Sequence, residues 1–177
     1  HVDAEFVRVG AELAVAEMLL GGTTTFNDMY FFPDVVGGIA HETGIRAVLG
    51  LIVIDAPTVW ANDADGYFAR ATEVHDLFRS HPRIHTAFAP HAPYTVSDES
   101  LRRIDTLAEE LDIPVHIHLH ETRHEVDQSL ADFGKRPIER LRDLGLLSPR
   151  LMAVHMTALS EADIELTATH GVHVVHC

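Results

Sequence analysis

The spacing of apolar residues along the chain predicts helices and strands in alternation. Residues from about Asp3 to Leu20 form the first helix, because apolar side chains recur there every three or four positions. Shorter apolar stretches rich in β-branched residues follow, and each is separated from the next by a helical pattern. The predicted strands are residues 23–28, 46–54, 84–90, 113–120, 151–155 and 172–177.

Strands that alternate with helices predict a parallel sheet with helices outside it, which is an α/β fold. An open doubly wound sheet and a (β/α)8 barrel both have this order. The open sheet usually carries a glycine-rich turn after a strand, and none is present in this sequence. The barrel places its chemistry at the carboxyl ends of several strands. We therefore predict a partial (β/α)8 barrel of TIM type, with six of the eight strands in a single domain spanning residues 1–177.

One predicted strand has an unusual polar face. In the segment Val115–Glu121 apolar residues alternate with His116, His118 and His120, so the three imidazoles are expected on one face. Buried imidazole nitrogens need partners, which a bound metal ion or a polar pocket that handles protons would supply. The alternative is an edge strand whose histidines face solvent. Alternation alone does not say which of the three would bind a metal.

Other predicted strands also end in polar residues, namely Asp28, His91, His155 and His176. Strand ends converge on one pocket in a barrel, which would explain the coincidence. A divalent metal in such a pocket would lower the pKa of a bound water. Glu121 is near enough in sequence to take that water's proton, and His155 could stabilise developing charge. Asp28 could contact a substrate, although a structural role is equally compatible with its position.

Composition narrows the classes of function. The 177 residues, 46% of them apolar, suffice for the core of one domain. A formal charge of -14 argues against nucleic acid or an anionic membrane as partner. The single cysteine, Cys177, excludes an internal disulfide and suits the cytoplasm, where we expect the protein. Because the chain begins at His1 and stops inside a predicted strand, we expect it to be part of a longer protein.

The step from His118 and Leu119 to Glu121, followed by His155 one strand later, resembles the metal-dependent amidohydrolase superfamily. Within it the chain is similar to the 5'-methylthioadenosine/S-adenosylhomocysteine deaminases. The segments around His91 and after Asp28 point to this branch. The matching stretches are residues 16–18, 22–30, 90–95, 116–122, 153–156 and 174–177.

The resemblance implies a reaction and roles. Metal-activated hydroxide would deaminate the adenine ring of 5'-methylthioadenosine or S-adenosylhomocysteine, giving the inosine analogue and ammonia. His118 would bind the metal, which is expected to be zinc with iron or manganese as alternatives. Glu121 would contact the purine and shuttle the proton, His155 would assist the attack, and His91 would bind substrate. No ligand role follows for His116, His120 or His176, which we expect to orient neighbouring groups.

The family's remaining metal ligands are expected before His1 and after Cys177, so this chain alone is not expected to catalyse. Two other functions stay open: a related amidohydrolase acting on guanine, a triazine or another ring amine, and a metal-free barrel that serves as a binding module. The sequence is also compatible with a homo-oligomer. The aromatic residues Tyr30–Phe32 and Trp60 are expected to anchor their loops. The arginines expected to be solvated are Arg70, Arg102, Arg103, Arg123 and Arg140.

Overall fold

The computed structural model describes residues 1–177, in which six strands alternate with helices. The strands follow one another in the sheet in chain order, and the pairings of β1 with β2 and of β3 through β6 are parallel. This is the order that a (β/α)8 barrel requires. The elements are α1 (Ala4–Leu20), β1 (Thr25–Asp28), α2 (Pro33–Thr43), β2 (Arg46–Val53), α3 (Ala64–Phe78), β3 (Ile84–Pro90), α4 (Asp98–Leu111), β4 (Val115–Leu119), α5 (Arg123–Phe133), α6 (Pro137–Asp143), β5 (Leu151–His155), α7 (Glu161–Thr169) and β6 (His173–Val175).

Polar side chains fix where the helices begin. The Asp3 carboxylate accepts a hydrogen bond from the Phe6 amide at 2.8 Å, which caps α1. Ser160 and Asp163 form a capping box at the start of α7. None of the helices is both long and apolar enough to cross a membrane.

The chain divides into two compact units, the first of which comprises residues 1–52 and 56–87. Its core contains the fully buried side chains of Leu49 and Tyr67. Trp60 is buried as well, and its ring meets that of Phe32 edge-on with the centroids 5.2 Å apart. The guanidinium of Arg70 lies 4.5 Å from the Trp60 ring centroid. These aromatic side chains therefore pack within the unit, as the sequence led us to expect.

The second unit comprises residues 53–55 and 88–177. Strand β4 pairs with β5 from Val115 opposite Leu151 to Leu119 opposite His155. Both strands therefore end at the same level, and the residues that follow them lie side by side. Ile117 and Leu119 are fully buried in the core of this unit.

The structure corrects one expectation about β4. The strand ends at Leu119, and His120 has a φ of 52° in the left-handed region. The alternation of side chains therefore stops before His120. The prediction that His120 shares a face with His116 and His118 is wrong.

Candidate active site

His118 lies on β4 in a defined tautomer. Its Nδ1 is 2.7 Å from the carbonyl oxygen of His91. A carbonyl oxygen can only accept, so Nδ1 carries the proton and donates it. The Nε2 atom is left with a lone pair, which is the arrangement typical of a metal-binding histidine.

His155 and Glu121 lie next to His118. The His155 ring stacks on the His118 ring, with centroids 5.4 Å apart and planes inclined by 19°. The Nε2 atom of His155 is 3.6 Å from Oε1 of Glu121. The Glu121 side chain is 46% exposed, so a small molecule can reach its carboxylate. The structure thus brings together three residues that the sequence pattern predicted as a group.

Left-handed backbone surrounds these side chains. His120, His155 and Met156 all have positive φ, of 52°, 78° and 52° respectively. Non-glycine residues adopt this conformation at a cost of about 1–3 kcal/mol each, and they concentrate at functional sites. Hydrogen bonds between the segments that follow β4 and β5 hold this backbone conformation. The Met156 amide donates to the Leu119 carbonyl, and the Thr157 amide donates to the His120 carbonyl, each at 3.0 Å.

His91 approaches the same group from the end of β3. Its ring lies edge-on to that of His118, with centroids 5.2 Å apart. The Thr95 hydroxyl donates to the Ala92 carbonyl, so it accepts from Nδ1 of His91 at 3.0 Å. Nε2 of His91 is consequently a hydrogen-bond acceptor. Burial lowers the pKa of His91, His118 lowers it further, and Glu121 acts in the opposite direction.

A buried arginine supports the loop that contains His91. The Arg140 guanidinium donates to Asp98 at 2.7 Å, to the Val96 carbonyl at 3.0 Å and to the Pro93 carbonyl. Arg140 is only 4% exposed. The prediction that Arg140 is a solvated charge is therefore wrong. Its side chain fixes the backbone that follows β3.

The other histidines of this segment have different surroundings. His120 is fully buried: its Nδ1 donates to the Ala158 carbonyl at 3.1 Å, and its Nε2 accepts from the Ile138 amide at 3.2 Å. It is therefore a neutral structural cross-link between elements. His116 is also buried, its Nδ1 has no hydrogen-bond partner, and burial lowers its pKa to about 4. His118 is the member of the three whose ring stacks on His155.

His118 fits one position of a metal site, because its tautomer presents Nε2 as a donor atom. The chain contains no group of three or more histidine, cysteine, aspartate or glutamate side chains placed to share a metal ion. Residues 1–177 therefore do not supply a complete set of ligands. His176 follows β6 and is exposed.

A different environment surrounds Asp28 at the end of β1. Its Oδ2 atom is buried without a hydrogen-bond partner, and burial raises the pKa of its carboxyl to about 6. The carboxyl lines a cavity of about 230 Å³ whose walls include Phe6, Met18, Phe26 and Tyr30. This carboxylate lies in apolar surroundings with no visible partner within its unit.

Known proteins resemble the chain along its whole length. The model of the amidohydrolase family matches residues 1–177. A 5-methylthioadenosine/S-adenosylhomocysteine deaminase of Saccharophagus degradans is 52% identical over 176 residues, which are 99% of this chain and 40% of that protein. A 5'-deoxyadenosine deaminase of Methanoregula boonei is 43% identical over 176 residues, with the same coverage of 99% and 40%. The chain thus spans about 40% of the length of these relatives.

Solved structures agree with the fold. A zinc-bound adenosine deaminase of Xanthomonas campestris is 55% identical and superposes with a TM-score of 0.98, covering all of this chain and 40% of that one. A guanine deaminase of C. acetobutylicum, 18% identical with a TM-score of 0.89, covers 99% of this chain and 44% of its own and shares the fold alone. The predicted α/β fold is confirmed. With its motifs, its fold and a family model that matches every residue, the chain belongs to the amidohydrolase family.

Proposed function

We propose that the full-length protein containing this chain is a metal-dependent aminohydrolase. It removes the amino group of the adenine ring of 5'-methylthioadenosine or S-adenosylhomocysteine by hydrolysis, giving the inosine analogue and ammonia. The observation that carries the proposal is the grouping of His118, His155 and Glu121 at the ends of β4 and β5. Relatives that are 45–52% identical bear the name of this deaminase, which supports the same substrate class.

His118 would contribute its Nε2 atom to a divalent cation, for which zinc is the first candidate because a 55% identical structure contains zinc. Such a cation, when bound, lowers the pKa of a coordinated water towards neutrality. The remaining ligands belong to parts of the full-length protein other than residues 1–177.

Glu121 moves the proton. Its exposed carboxylate accepts a proton from the attacking water and delivers it to N1 of the purine, which turns the ring into an acceptor of the nucleophile. His155 lies 3.6 Å from that carboxylate and stabilises the charge that develops as the attack proceeds. His91 presents its Nε2 acceptor to a hydroxyl or amino donor of the nucleoside.

Adenine nucleosides are the preferred class over other ring amines. The deaminases named for adenine nucleosides are 37–55% identical to this chain, whereas the triazine hydrolases and guanine deaminase are 18–21% identical. The cytoplasmic location and a homo-oligomer stay predictions from the sequence.

The test offers four compounds separately to the zinc-loaded full-length protein and measures released ammonia. These are 5'-methylthioadenosine, S-adenosylhomocysteine, adenosine and guanine. Release from one or both thionucleosides, well above that from guanine, is the expected result. Removal of the metal by a chelator should abolish the release, and added zinc should restore it. Preferential release from guanine, or no release with zinc bound, would contradict the proposal.

A further inference from the structure

Glu125 lies in the first turn of α5, but its carboxylate reaches beyond that helix. Thr122 caps the helix by accepting from the Glu125 amide at 3.1 Å. A glutamate at this position ordinarily bonds to the amide of the capping residue itself. In this chain its two oxygens also accept from amides that precede the capping residue, those of His120, at 2.9 Å, and Glu121, at 2.7 Å. The Glu125 side chain thus holds backbone that precedes the helix.

The carbonyl group of Glu121 is held in place as well as its amide. The hydroxyl of Thr157 donates to the Glu121 carbonyl oxygen at 2.6 Å. Glu121 lies beyond the end of β4, so no neighbouring strand bonds to its backbone there. Side chains from α5 and from the turn after β5 therefore fix the peptide groups on both sides of this one residue.

Water could bond to these amides in an open turn, but the structure uses a buried carboxylate. Glu125 is 6% exposed. Burial raises its pKa, while the amides of His120, Glu121 and Thr122 act in the opposite direction. A desolvated carboxylate with fixed donors is a more rigid support than mobile water, at a cost in solvation.

We propose that Glu125 is a positioning residue for the Glu121 carboxylate, with Thr157 supporting it from the opposite side. The inference rests on the proposed function, in which Glu121 transfers a proton to the purine. The reach of a glutamate side chain is set by the backbone that carries it. A displacement of about 1 Å at a reacting group can lower a rate by on the order of 10²-fold.

The first experiment replaces Glu125 in the zinc-loaded full-length protein. Glu125→Gln keeps the size of the side chain but turns an N–H group towards one of the two amides. We expect kcat for 5'-methylthioadenosine to fall by about 10-fold to 100-fold, with full zinc content and with KM changed by less than about threefold, because only the transition state needs the aligned carboxylate. Thr157→Val should lower kcat in the same direction by less.

Glu139→Gln is the matched control. Glu139 is also a first-turn glutamate, and its carboxylate accepts from the Arg136 amide at 2.8 Å in the capping box of α6. The same loss of a backbone acceptor occurs there without contact to Glu121. We expect its kcat to stay within about twofold of the unmodified protein. Equal losses in Glu125→Gln and Glu139→Gln would overturn the inference.

A double-mutant cycle separates positioning from general support of the fold. If Glu125 acts through Glu121, Glu125→Gln should cost little further activity in a Glu121→Gln protein, because the group it positions is already disabled. A double variant whose loss of activity equals the product of the two single losses would overturn the inference. Hydrogen exchange gives a readout apart from activity: the Glu121 amide should exchange faster in Glu125→Gln than in Glu139→Gln, and equal rates would also overturn it.

The outcome for the unmodified protein distinguishes the two claims. If it releases ammonia from 5'-methylthioadenosine and Glu125→Gln is as active, the positioning role alone fails. If the zinc-loaded unmodified protein releases none, the proposed function fails and the positioning role fails with it.

Discussion

One buried carboxylate, Glu125, and one half-buried carboxylate, Asp28, lie near strand ends of this chain, and they differ in what surrounds them. Both oxygens of Glu125, behind β4, accept backbone amides. Oδ2 of Asp28, at the end of β1, accepts nothing within its unit. Burial raises the pKa of both groups. The comparison teaches that burial alone does not reveal the role of a carboxylate. The hydrogen-bond donors around the carboxylate do reveal it.

The same contrast holds for the regions around them. After β4 and β5, polar side chains and backbone bond to one another, as His118 does to the His91 carbonyl and Arg140 to three oxygen atoms. Around Asp28 the walls of the cavity are mainly apolar. The first region has the fixed polar geometry that catalysis needs. In the second, an ionised carboxylate lowers the stability of the unit.

The largest effect is expected at Glu121. Glu121→Gln retains the shape of the side chain but cannot carry a proton, so kcat of the zinc-loaded full-length protein should fall by about 10²–10⁴-fold. The measurement is ammonia release from 5'-methylthioadenosine, with zinc content determined in parallel. A loss smaller than about tenfold with full zinc would contradict the proton-transfer role.

The next largest effect is expected on stability, when the buried guanidinium of Arg140 is removed. Arg140→Met leaves the Pro93 and Val96 carbonyls without their donor, so the free energy of unfolding should fall by about 3 kcal/mol or more. Urea unfolding of the 177-residue chain measures it. Arg102→Met is the control, because Arg102 also pairs with Asp98, at 3.8 Å, but its side chain is 62% exposed. That change should cost less than about 1 kcal/mol, and equal costs in the two variants would contradict a supporting role for Arg140.

Replacing a carboxylate by its amide should change stability in opposite directions at Asp28 and Glu125. Asp28→Asn removes a charge whose Oδ2 atom is buried without a partner, so it should stabilise the 177-residue chain at pH 7 by at most about 3 kcal/mol, from the rise of its pKa to about 6. Glu125→Gln removes an acceptor from an amide and should destabilise it by about 1–3 kcal/mol. Urea unfolding of both variants tests the contrast, and stabilisation by both would remove it.

The stability gained by Asp28→Asn should increase as pH rises. The folded state binds the proton more tightly than the unfolded state, because the carboxyl pKa is raised from 3.8 to about 6. The wild-type chain therefore loses stability at this group as pH rises through that window. The advantage of Asp28→Asn should be complete above about pH 6 and should shrink as pH falls towards 3.8. An advantage that is constant with pH would rule out the buried charge of Asp28 as its cause.

The fold was accessible from the sequence because each element is marked locally. Apolar runs bounded by turns identify the strands, and Asp3 and Ser160 are of residue types that favour helix starts, where the structure places both. His118, Glu121 and His155 could be grouped because they lie at the ends of neighbouring strands, which meet in a parallel sheet. These signals depend on short stretches of sequence, so they can be recognised without knowledge of contacts between distant residues.

The misses depend on distant contacts. His120 continues the alternating pattern, but its bonds to Ala158 and Ile138, 38 and 18 residues away, accompany a turn out of the strand. Arg140 looks like an exposed charge on a short helix, and the carbonyls it binds lie 44 and 47 residues earlier. Glu125 matches an ordinary cap in sequence. Its reach to the two amides before the cap is visible only in three dimensions.

The central claim is that the residues at the ends of β4 and β5 serve a hydrolytic deamination. The most direct measurement incubates the zinc-loaded full-length protein with 5'-methylthioadenosine in ¹⁸O-labelled water and determines the mass of the product. The claim predicts one equivalent of ammonia and one solvent oxygen on the purine ring, with neither formed by Glu121→Gln at a comparable rate. A product without solvent oxygen, or an unchanged substrate with zinc bound, would contradict it.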